Sequence, residues 1–336
     1  MVSVGVVGFG YWGPNIVRNI MSIEGMELLY IVDKNIDRLN VAKKLYPSIT
    51  VTQDPNEILY NKRLNAIIIA TPVSSHFELA YNALKSGKNV LLEKPLASST
   101  HECLKLIDIA DKKSLVLQVD HTFPFTGAVK KIKSLLVNKS LGNIQYYDSV
   151  RINLGLFQSD VNVIGDLAIH DISILDYLID EKPISVIANG VAHHTGQKEN
   201  IAYVTLLYDE KFIANIHVNW LSPIKIRKIL IGCDKKMLVY NDLESVEKIK
   251  IFDSGILSNQ KSDQAYQMRI GYRLGDVHSP HIESTEALYS LLEHFKNCII
   301  NRSKPITDGL SGLRVVKIIE AATSSMENSG RPVQIK

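Results

Sequence analysis

The stretch "GVVGFGYWGPN", residues 5–15, decides the fold of the first part of the chain. Three of its four glycines have the G-x-G-x-x-G spacing: Gly8, Gly10 and Gly13. The spacing alone is weak evidence, because turns use glycine anyway. The flanking residues decide whether this is a cofactor loop or an ordinary turn. The preceding "SVGVV" is typical of a strand, and Pro14 suits the first turn of a helix. The later "ELLYIV" predicts a second strand that ends at Asp33. This order predicts a dinucleotide-binding βαβ unit.

Each glycine of the loop has its own physical reason. Gly8 allows the sharp turn out of the strand, Gly10 lets the backbone approach a pyrophosphate, and Gly13 lets the helix pack closely on the sheet. Backbone N–H groups at the helix start then hold the phosphates. Tyr11 and Trp12 lie in the same loop, and they either pack against the neighbouring domain or contact a substrate.

The acidic residue after the second strand indicates the cofactor. Asp33 follows Gly8 at the distance where a carboxylate accepts hydrogen bonds from the ribose hydroxyls and repels a 2′-phosphate. This favours NAD over NADP. Lys34 weakens the inference, because a cation there would tolerate that phosphate.

The pattern along the chain predicts an α/β protein with two domains. Strands and helices alternate through residues 1–122, which predicts a Rossmann domain with a doubly wound parallel sheet. In residues 123–336 strands follow one another with short turns, and two helical stretches close the chain. We expect this second domain to be α+β, with a large and mainly antiparallel sheet that binds substrate and mediates oligomerisation.

Polar residues stand at the carboxyl ends of the predicted parallel strands, where such sheets gather their ligands. We therefore predict that the cofactor site includes, besides the glycine loop with Tyr11 and Trp12 and Asp33, the following residues: Thr71, Pro72, His76, Glu93 and Lys94. Lys94 precedes Pro95, which stiffens the turn. A lysine near a turn is ordinarily a surface residue, but this one lies where cofactor and substrate must meet.

A later helix carries two ionisable residues. "GDLAIHDISILDYLID" has an apolar stripe, and Asp166 and His170 are four residues apart and share one face. The alternatives are a helix N-cap for Asp166 and a hydrogen-bonded core histidine for His170. Asp171 lies on another face, where it anchors the helix.

Basic and polar residues alternate along two strands of the second domain. Arg151 and Asn153 are one such pair, and Lys225 and Arg227 are the other, so the members of each pair can face the same way. We predict these four as substrate contacts, since basic groups there would clamp a substrate phosphate. An ordinary solvated strand face is the alternative for Lys225 and Arg227.

The composition excludes several classes of protein. The 336 residues are 46% hydrophobic, and 38 basic against 35 acidic residues leave a net charge of +3, too balanced for a general nucleic-acid surface. Three distant cysteines, Cys103, Cys233 and Cys298, form no metal-type pair and read as buried reduced thiols of a cytoplasmic protein. The chain enters a strand at once and has no apolar run of membrane length, so we expect no signal peptide and no membrane span.

The motifs together resemble the Gfo/Idh/MocA family of sugar and cyclitol oxidoreductases along nearly the whole chain. The resemblance rests on "GFGYWGPN", "TPVSSH", "EKPLA" and the D-x3-H of Asp166 and His170. It implies NAD as cofactor, and Lys94, Asp166 and His170 as catalytic candidates beside the nicotinamide ring. It also implies a cis bond between Lys94 and Pro95.

Three further stretches look most like bacterial members that modify nucleotide sugars: "RINLGLFQSDVNVIGDLAIHD", "NWLSPIKIRKILIG" and "GDVHSPHIESTEAL". The expected activity is hydride transfer between NAD and a secondary hydroxyl, at C3, of a sugar such as UDP-GlcNAc or its uronic acid, in surface polysaccharide biosynthesis. The rivals are a keto-sugar reductase of deoxysugar biosynthesis and a non-catalytic dinucleotide-sensing regulator on the same fold. The expected partners are the small-molecule substrate and further copies of the chain, as a homodimer or homotetramer, with no nucleic acid, membrane or metal.

Overall fold

The computed structural model describes residues 1–155, 161–193, 198–209, 211–257 and 271–336. It divides into two compact units. The first unit consists of Met1–Thr126 and Thr285–Glu320, and the second of Gly127–Ser284 and Ala321–Lys336. No helix in the described part of the chain has the length and apolar character that crossing a membrane requires.

Strands and helices are numbered here in chain order. The strands are β1 Val2–Val7, β2 Met26–Val32, β3 Thr50–Thr52, β4 Ala66–Ile69, β5 Asn89–Glu93, β6 Leu117–Asp120, β7 Ile144–Leu154, β8 Ser185–Val191, β9 Ile201–Leu207, β10 Ile213–Asn219, β11 Leu221–Cys233, β12 Met237–Asn241, β13 Ile249–Leu257, β14 Gly271–His278 and β15 Val333–Gln334. The α-helices are α1 Gly13–Ser22, α2 Ile36–Leu45, α3 Asn56–Leu59, α4 His76–Lys85, α5 Thr100–Lys112, α6 Gly127–Val137, α7 Ile169–Leu178, α8 Ala287–Asn301 and α9 Gly309–Glu327.

The first unit contains the predicted Rossmann sheet. Its six strands lie in the order β3-β2-β1-β4-β5-β6, and all neighbours pair in parallel. The order reverses between β1 and β4, and the crevice at such a point is where doubly wound sheets bind their ligands. The short strand β3 was not predicted from the sequence, because "TVT" is too brief to show a period.

Apolar side chains cover both faces of this sheet. On one face Val4 and Val6 pack with Ile20 of α1 and with Leu291 and Phe295 of α8. The other face is covered by helices α4 and α5, whose buried residues include Ala80, Ala83, Cys103 and Leu106. Burial on both faces explains why β1 and β4 read as continuous apolar runs rather than alternating ones.

Helix α8 belongs to the first unit although it follows the second unit in the sequence. Residues 285–320 return to pack on the Rossmann core, whereas the sequence pattern placed all of residues 123–336 in one domain. Amphipathic spacing predicts that α8 buries one face, and it does not say against which partner. The sequence pattern therefore could not assign this segment to its unit.

The second unit contains the expected large sheet. Nine strands lie in the order β14-β13-β12-β11-β7-β10-β9-β8-β15, with β7 and β10 parallel and the other pairs antiparallel. Burial alternates along β9, where Ala202, Val204 and Leu206 are buried and Tyr203 is 57% exposed. Tyr203 stacks on His217 of the neighbouring strand, with ring centroids 4.4 Å apart. Along β9, one face of the sheet is therefore packed and the other is partly exposed in the described part of the chain.

The three cysteines are buried and unpaired, as predicted: Cys103, Cys233 and Cys298. Burial raises the pKa of the Cys103 thiol to about 12 and that of Cys233 to about 11. Both thiols are therefore protonated at neutral pH and are poor nucleophiles.

Candidate active site

The glycine loop has the geometry that a pyrophosphate needs. Gly8 has φ of +100°, and a Cβ on it would lie 2.3 Å from the Ala70 carbonyl oxygen. A Cβ on Gly13 would lie 2.3 Å from the Gly8 carbonyl oxygen, so both glycines are required by the protein's own backbone. A Cβ on Gly10 would meet only the flexible end of Arg38, at 3.4 Å. Gly10 thus leaves its space for a ligand, and the residues present fit a bound dinucleotide.

The two aromatic residues of this loop are exposed. Tyr11 is 86% exposed, Trp12 is 48% exposed, and their rings meet edge to face with centroids 5.4 Å apart. Trp12 precedes helix α1, which begins at Gly13 with Pro14 in its first turn. Their predicted place in the cofactor site remains a proposal.

Asp33 is fixed at the end of β2 by two backbone N–H groups. Phe9 N–H donates to Oδ2 at 2.7 Å, and Asn35 N–H donates to Oδ1 at 2.8 Å. These bonds tie the carboxylate to the glycine loop on one side and to the start of α2 on the other. A carboxylate has about four acceptor positions, so two remain for the hydroxyls of a ribose.

Arg38 is a residue of this site that the sequence reasoning missed. It lies in the first turns of α2, is about half exposed, and places Nη1 3.6 Å from Asp33 Oδ2. Its guanidinium also faces Gly10. The signal in the sequence was its position five residues after Asp33, in the first turn of the predicted helix. An arginine here can accept a 2′-phosphate when the carboxylate does not oppose it.

These two residues give a prediction about cofactor choice. We expect the protein to bind NADH more tightly than NADPH, because Asp33 repels the 2′-phosphate. Asp33→Asn is expected to lower the ratio of the NADPH to the NADH dissociation constant by about tenfold to a hundredfold. This is the range expected for the loss of a hydrogen bond to a charged group. Arg38→Ala in the Asp33→Asn background should then weaken NADPH more than NADH. The dissociation constants are measured by fluorescence titration, and tighter NADPH binding by the unsubstituted protein would contradict this assignment of Asp33.

His76 supports the loops after β4 and β5. Its ring is buried, with Nε2 2.8 Å from the Thr71 carbonyl oxygen and Nδ1 2.8 Å from the Pro95 carbonyl oxygen. Ser75 Oγ donates to Thr71 Oγ1 at 2.8 Å in the same loop, and Pro72 is exposed beside it. The histidine therefore ties the two segments together from behind, while Thr71 and Pro72 lie nearer to the surface.

Lys94 directly follows β5 and lies at the carboxyl edge of the sheet. The bond between Lys94 and Pro95 is cis, as the sequence resemblance implied. Lys94 N–H lies 3.3 Å from Glu93 Oε2. Glu93 is paired in register with Asp120 of β6, so two carboxyl groups lie beside the lysine. Thr122 Oγ1 donates to Asp120 Oδ1 at 2.7 Å.

The two carboxyl groups retain protons more strongly than free ones. Burial, with the adjacent Asp120 carboxyl as a second cause, raises the pKa of Glu93 well above its usual range. Burial raises the pKa of Asp120 from 3.8 to about 6, against the opposing effects of Thr122 and Lys94. Two carboxyls this close titrate as a pair. The edge of the sheet therefore holds a protonatable pair next to the cationic lysine.

The raised pKa values predict how stability depends on pH. A carboxyl whose pKa is raised by folding binds its proton more tightly in the native state, so the free energy of unfolding falls as pH rises from about 4 through about 6. For Asp120 the change from 3.8 to about 6 corresponds to about 3 kcal/mol. Asp120→Asn should remove this loss and be more stable than the unsubstituted protein at pH 8. Denaturant unfolding between pH 4 and 8 measures the free energy of unfolding of both proteins. If the difference between them does not change with pH, the raised pKa of Asp120 is contradicted.

Asp166 and His170 lie in the second unit, at a junction of two helical forms. A π-helical segment, Ile164–Ala168, carries Asp166 and leads directly into α7, where His170 is the second residue. Such π-helical turns occur often at functional sites. Asp166 is not an N-cap, because its N–H donates to the Asn162 carbonyl oxygen at 3.1 Å. Asn162 caps the segment instead, with its Oδ1 accepting from Gly165 N–H at 3.1 Å.

Trp220 is a second residue that the sequence reasoning missed. It is the single residue between β10 and β11, and its side chain is 1% exposed. Its indole Nε1–H donates to Asp166 Oδ2 at 3.1 Å. The stretch "NWLSP" resembles bacterial family members that modify nucleotide sugars, but a lone tryptophan at a strand end is typical of a core residue. Burial of an N–H that needs an acceptor was the available signal.

The predicted substrate contacts in the second unit have different surroundings. Arg151 is 2% exposed, and its Nε and Nη2 donate to the Asp171 carboxylate at 2.6 and 3.2 Å. This pair ties β7 to α7, so Arg151 supports the helix that carries His170, and Asp171 anchors it. Asn153 is partly buried on the same strand.

The two residues of the other predicted pair, Lys225 and Arg227, also differ in their surroundings. Arg227 lies opposite Arg151 on β11 and faces Asp242, with 3.5 Å between Nη1 and Oδ2. Lys225 is exposed and lies at an irregularity in the pairing of β7 and β11. The structure thus gives Arg227 a carboxylate partner and leaves Lys225 at the surface.

The structure groups the predicted site residues in two sets. The first unit brings the glycine loop, Asp33, the loop after β4 and the Glu93–Lys94 turn to one edge of the Rossmann sheet. The second unit brings Asp166 and His170 together on consecutive helical turns. Together these sets provide a dinucleotide cradle, a lysine and an aspartate–histidine pair.

Fold and site define an oxidoreductase with an NAD-binding Rossmann domain, and the comparison with protein families agrees. Residues 2–121 match the Gfo/Idh/MocA oxidoreductase family, NAD-binding Rossmann fold, and residues 133–335 match the C-terminal alpha/beta domain of that family. The chain belongs to this family, and NAD is the cofactor of its first domain.

Individual relatives show how far the likeness extends. The chain is 25% identical over 316 residues to UDP-N-acetylglucosamine 3-dehydrogenase of Acidithiobacillus ferrooxidans, covering 94% of each protein. An uncharacterized oxidoreductase of Streptococcus pneumoniae is 27% identical over 228 residues, which are 64% of this chain and 61% of that protein. The solved structure of the Acidithiobacillus enzyme has the same fold, with a TM-score of 0.82 at 22% identity over 98% of this chain and 99% of that one.

Proposed function

We propose that this protein is an NAD-dependent dehydrogenase that oxidises a secondary hydroxyl, at C3, of a nucleotide sugar such as UDP-GlcNAc or its uronic acid. The observation that carries the proposal is a set of ionisable groups in two places: Lys94 at the edge of the Rossmann sheet with the dinucleotide cradle, and Asp166 with His170 on consecutive helical turns of the second unit. The similarity to a UDP-N-acetylglucosamine 3-dehydrogenase over 94% of each chain supports the choice of substrate.

The proposed roles follow from the chemistry of alcohol oxidation. Held by the glycine loop and Asp33, NAD⁺ would supply the acceptor for the hydride of the carbinol carbon. His170 accepts the hydroxyl proton, because an imidazole is a base near neutral pH without further adjustment. Lys94 donates a hydrogen bond to the reacting oxygen and stabilises its developing negative charge. Asp166 orients the sugar by accepting a hydrogen bond from a neighbouring hydroxyl.

The Glu93–Asp120 pair adds to this scheme. One carboxyl proton lies beside the Lys94 ammonium group, so the local charge stays close to neutral when the lysine is protonated. A second buried full negative charge would bind the lysine more strongly and hold it away from a substrate oxygen. The pair therefore keeps Lys94 available as a hydrogen-bond donor.

The two rival functions make different use of the same residues. A keto-sugar reductase would run the reaction backward, with His170 returning the proton and Lys94 polarising the carbonyl. A dinucleotide-sensing regulator would need no proton-transfer group, and the presence of Lys94, Asp166 and His170 together argues against it. We place the activity in the cytoplasm, in surface polysaccharide biosynthesis, and the assembly as a homodimer or homotetramer through the open face of the nine-stranded sheet.

The experiment that tests the proposal is a hydride-exchange assay. The purified protein is incubated with NAD⁺ and a panel of UDP- and TDP-sugars that includes UDP-GlcNAc, and NADH formation is followed by absorbance. In a parallel assay it is incubated with NADH and 4-keto sugars, and NADH consumption is followed. Mass spectrometry of the native protein identifies any NAD or sugar nucleotide that co-purifies. Oxidation of a UDP-N-acetylhexosamine supports the proposal, reduction of 4-keto sugars alone supports the reductase, and NAD binding without any turnover supports the regulator.

A further inference from the structure

The backbone around Trp220 fixes the place of its indole ring. Trp220 N–H donates to the Asn200 carbonyl oxygen at 2.9 Å, and its own carbonyl accepts from Gly155 N–H at 2.9 Å. A Cβ on Gly155 would lie 2.6 Å from Trp220 Cδ1, so the glycine leaves the space that the ring occupies. The backbone of Trp220 is thus held from two sides, and its ring lies against Gly155.

The bond from this ring to Asp166 has one possible direction. An indole N–H only donates and an ionised carboxylate only accepts, so neither group can reverse its role. The bond fixes the χ angles of Asp166, whose backbone is already held by Asn162.

We propose that Trp220 is a positioning residue: its indole N–H holds the Asp166 carboxylate in the orientation that binds the sugar. The proposal rests on the function proposed above, because it takes Asp166 as a substrate-binding group. In this proposal Trp220, which is buried, acts through Asp166. A rigid donor suits this task, since a flexible side chain would let the carboxylate rotate.

Loss of the indole N–H should lower kcat/KM, and only while Asp166 is present. Trp220→Phe removes the N–H and keeps an aromatic ring in the pocket. It is expected to lower kcat/KM for UDP-GlcNAc with NAD⁺ by about tenfold to a hundredfold, as misplacement of a binding group does, and to leave the dissociation constant of NADH unchanged. Gly155→Ala should cause a loss of the same order, because its methyl group displaces the indole.

A double-mutant cycle separates positioning from general support. In the Asp166→Ala background the Trp220→Phe and Gly155→Ala substitutions should cost less than twofold, because the group they position is gone. Equal losses in both backgrounds would mean that Trp220 only supports the fold, and this result would overturn the proposal. Unchanged kcat/KM in Trp220→Phe would overturn it as well.

The chain also allows a test that needs no substrate. It has two tryptophans, so its ¹H–¹⁵N spectrum contains two indole N–H resonances, which Trp12→Phe and Trp220→Phe assign. Asp166→Ala should shift the Trp220 resonance and speed its exchange with solvent, with the exposed Trp12 resonance as the internal control. An unmoved Trp220 resonance would overturn the contact. If UDP-GlcNAc is not oxidised by the unsubstituted protein, the proposed function fails on that sugar, and the spectrum still decides whether Trp220 holds Asp166.

Discussion

Alanine in place of Lys94 or His170 is expected to slow turnover by about 10²–10⁴-fold, the usual cost of losing a positioned acid–base or donor group. The NADH dissociation constant should change little, since the proposed roles of both side chains concern the reacting hydroxyl rather than the pyrophosphate or the adenosine. Steady-state kinetics with the sugar that the panel identifies gives kcat and KM, and fluorescence titration gives the dissociation constant. For both variants we expect kcat to fall while the affinity for NADH stays nearly constant.

Two exposed residues provide matched controls for these variants. Lys85, at the end of α4, and His101, in the first turn of α5, are exposed residues of the same types, and both lie in the first unit. Lys85→Ala and His101→Ala should turn over like the unsubstituted protein. Normal turnover in both Lys94→Ala and His170→Ala would show that the catalytic assignment is wrong, and it would favour the regulator.

The second large effect is expected at the glycine loop. Gly10→Val should weaken NADH binding by about a hundredfold or more, because the side chain blocks the approach of the pyrophosphate and removes hydrogen bonds to charged oxygens. The fold should survive, since among the described residues a new Cβ would have only the end of the Arg38 side chain within 4 Å. Thermal unfolding without cofactor is therefore expected to match that of the unsubstituted protein.

Gly13→Ala is the contrasting variant. Its Cβ would lie 2.3 Å from the Gly8 carbonyl oxygen, so the loop and helix α1 must shift even without a ligand. Its melting temperature should fall clearly, and its loss of NADH binding should accompany that fall. If Gly10→Val binds NADH normally, the pyrophosphate does not lie over this loop in the predicted way.

Local sequence rules determined the first unit in detail. The run from Gly5 to Asp33 has a strand, a turn that needs three glycines, a helix start with proline and an acidic strand end, and each of these is set by neighbouring residues. A parallel, doubly wound sheet then followed, because strands that alternate with helices of this size are joined by crossover connections. The position of Lys94 at a strand end and the D-x3-H spacing of Asp166 and His170 could also be read from neighbouring residues. The cis Lys94–Pro95 bond was implied by the family resemblance.

Contacts between distant residues required the tertiary structure. Arg38 faces Gly10 across a loop, Arg151 meets Asp171 from a different element, and Trp220 reaches Asp166 over 54 positions of the chain. Periodicity indicates which side of an element is buried, and it does not name the group that lies against it. A buried arginine therefore read as a substrate clamp, although a carboxylate of the same unit holds it.

Helix α8 and the π-helical turn show the same division. The sequence by itself determined that α8 is a helix and that Asp166 and His170 lie close together on one. Only the tertiary structure decided that α8 packs on the Rossmann core and that the turn around Asp166 widens to a π-helix. The physical reason is that backbone conformation follows mostly from near neighbours, whereas the burial of an apolar face and the pairing of a buried polar group depend on whichever surfaces the whole fold brings together.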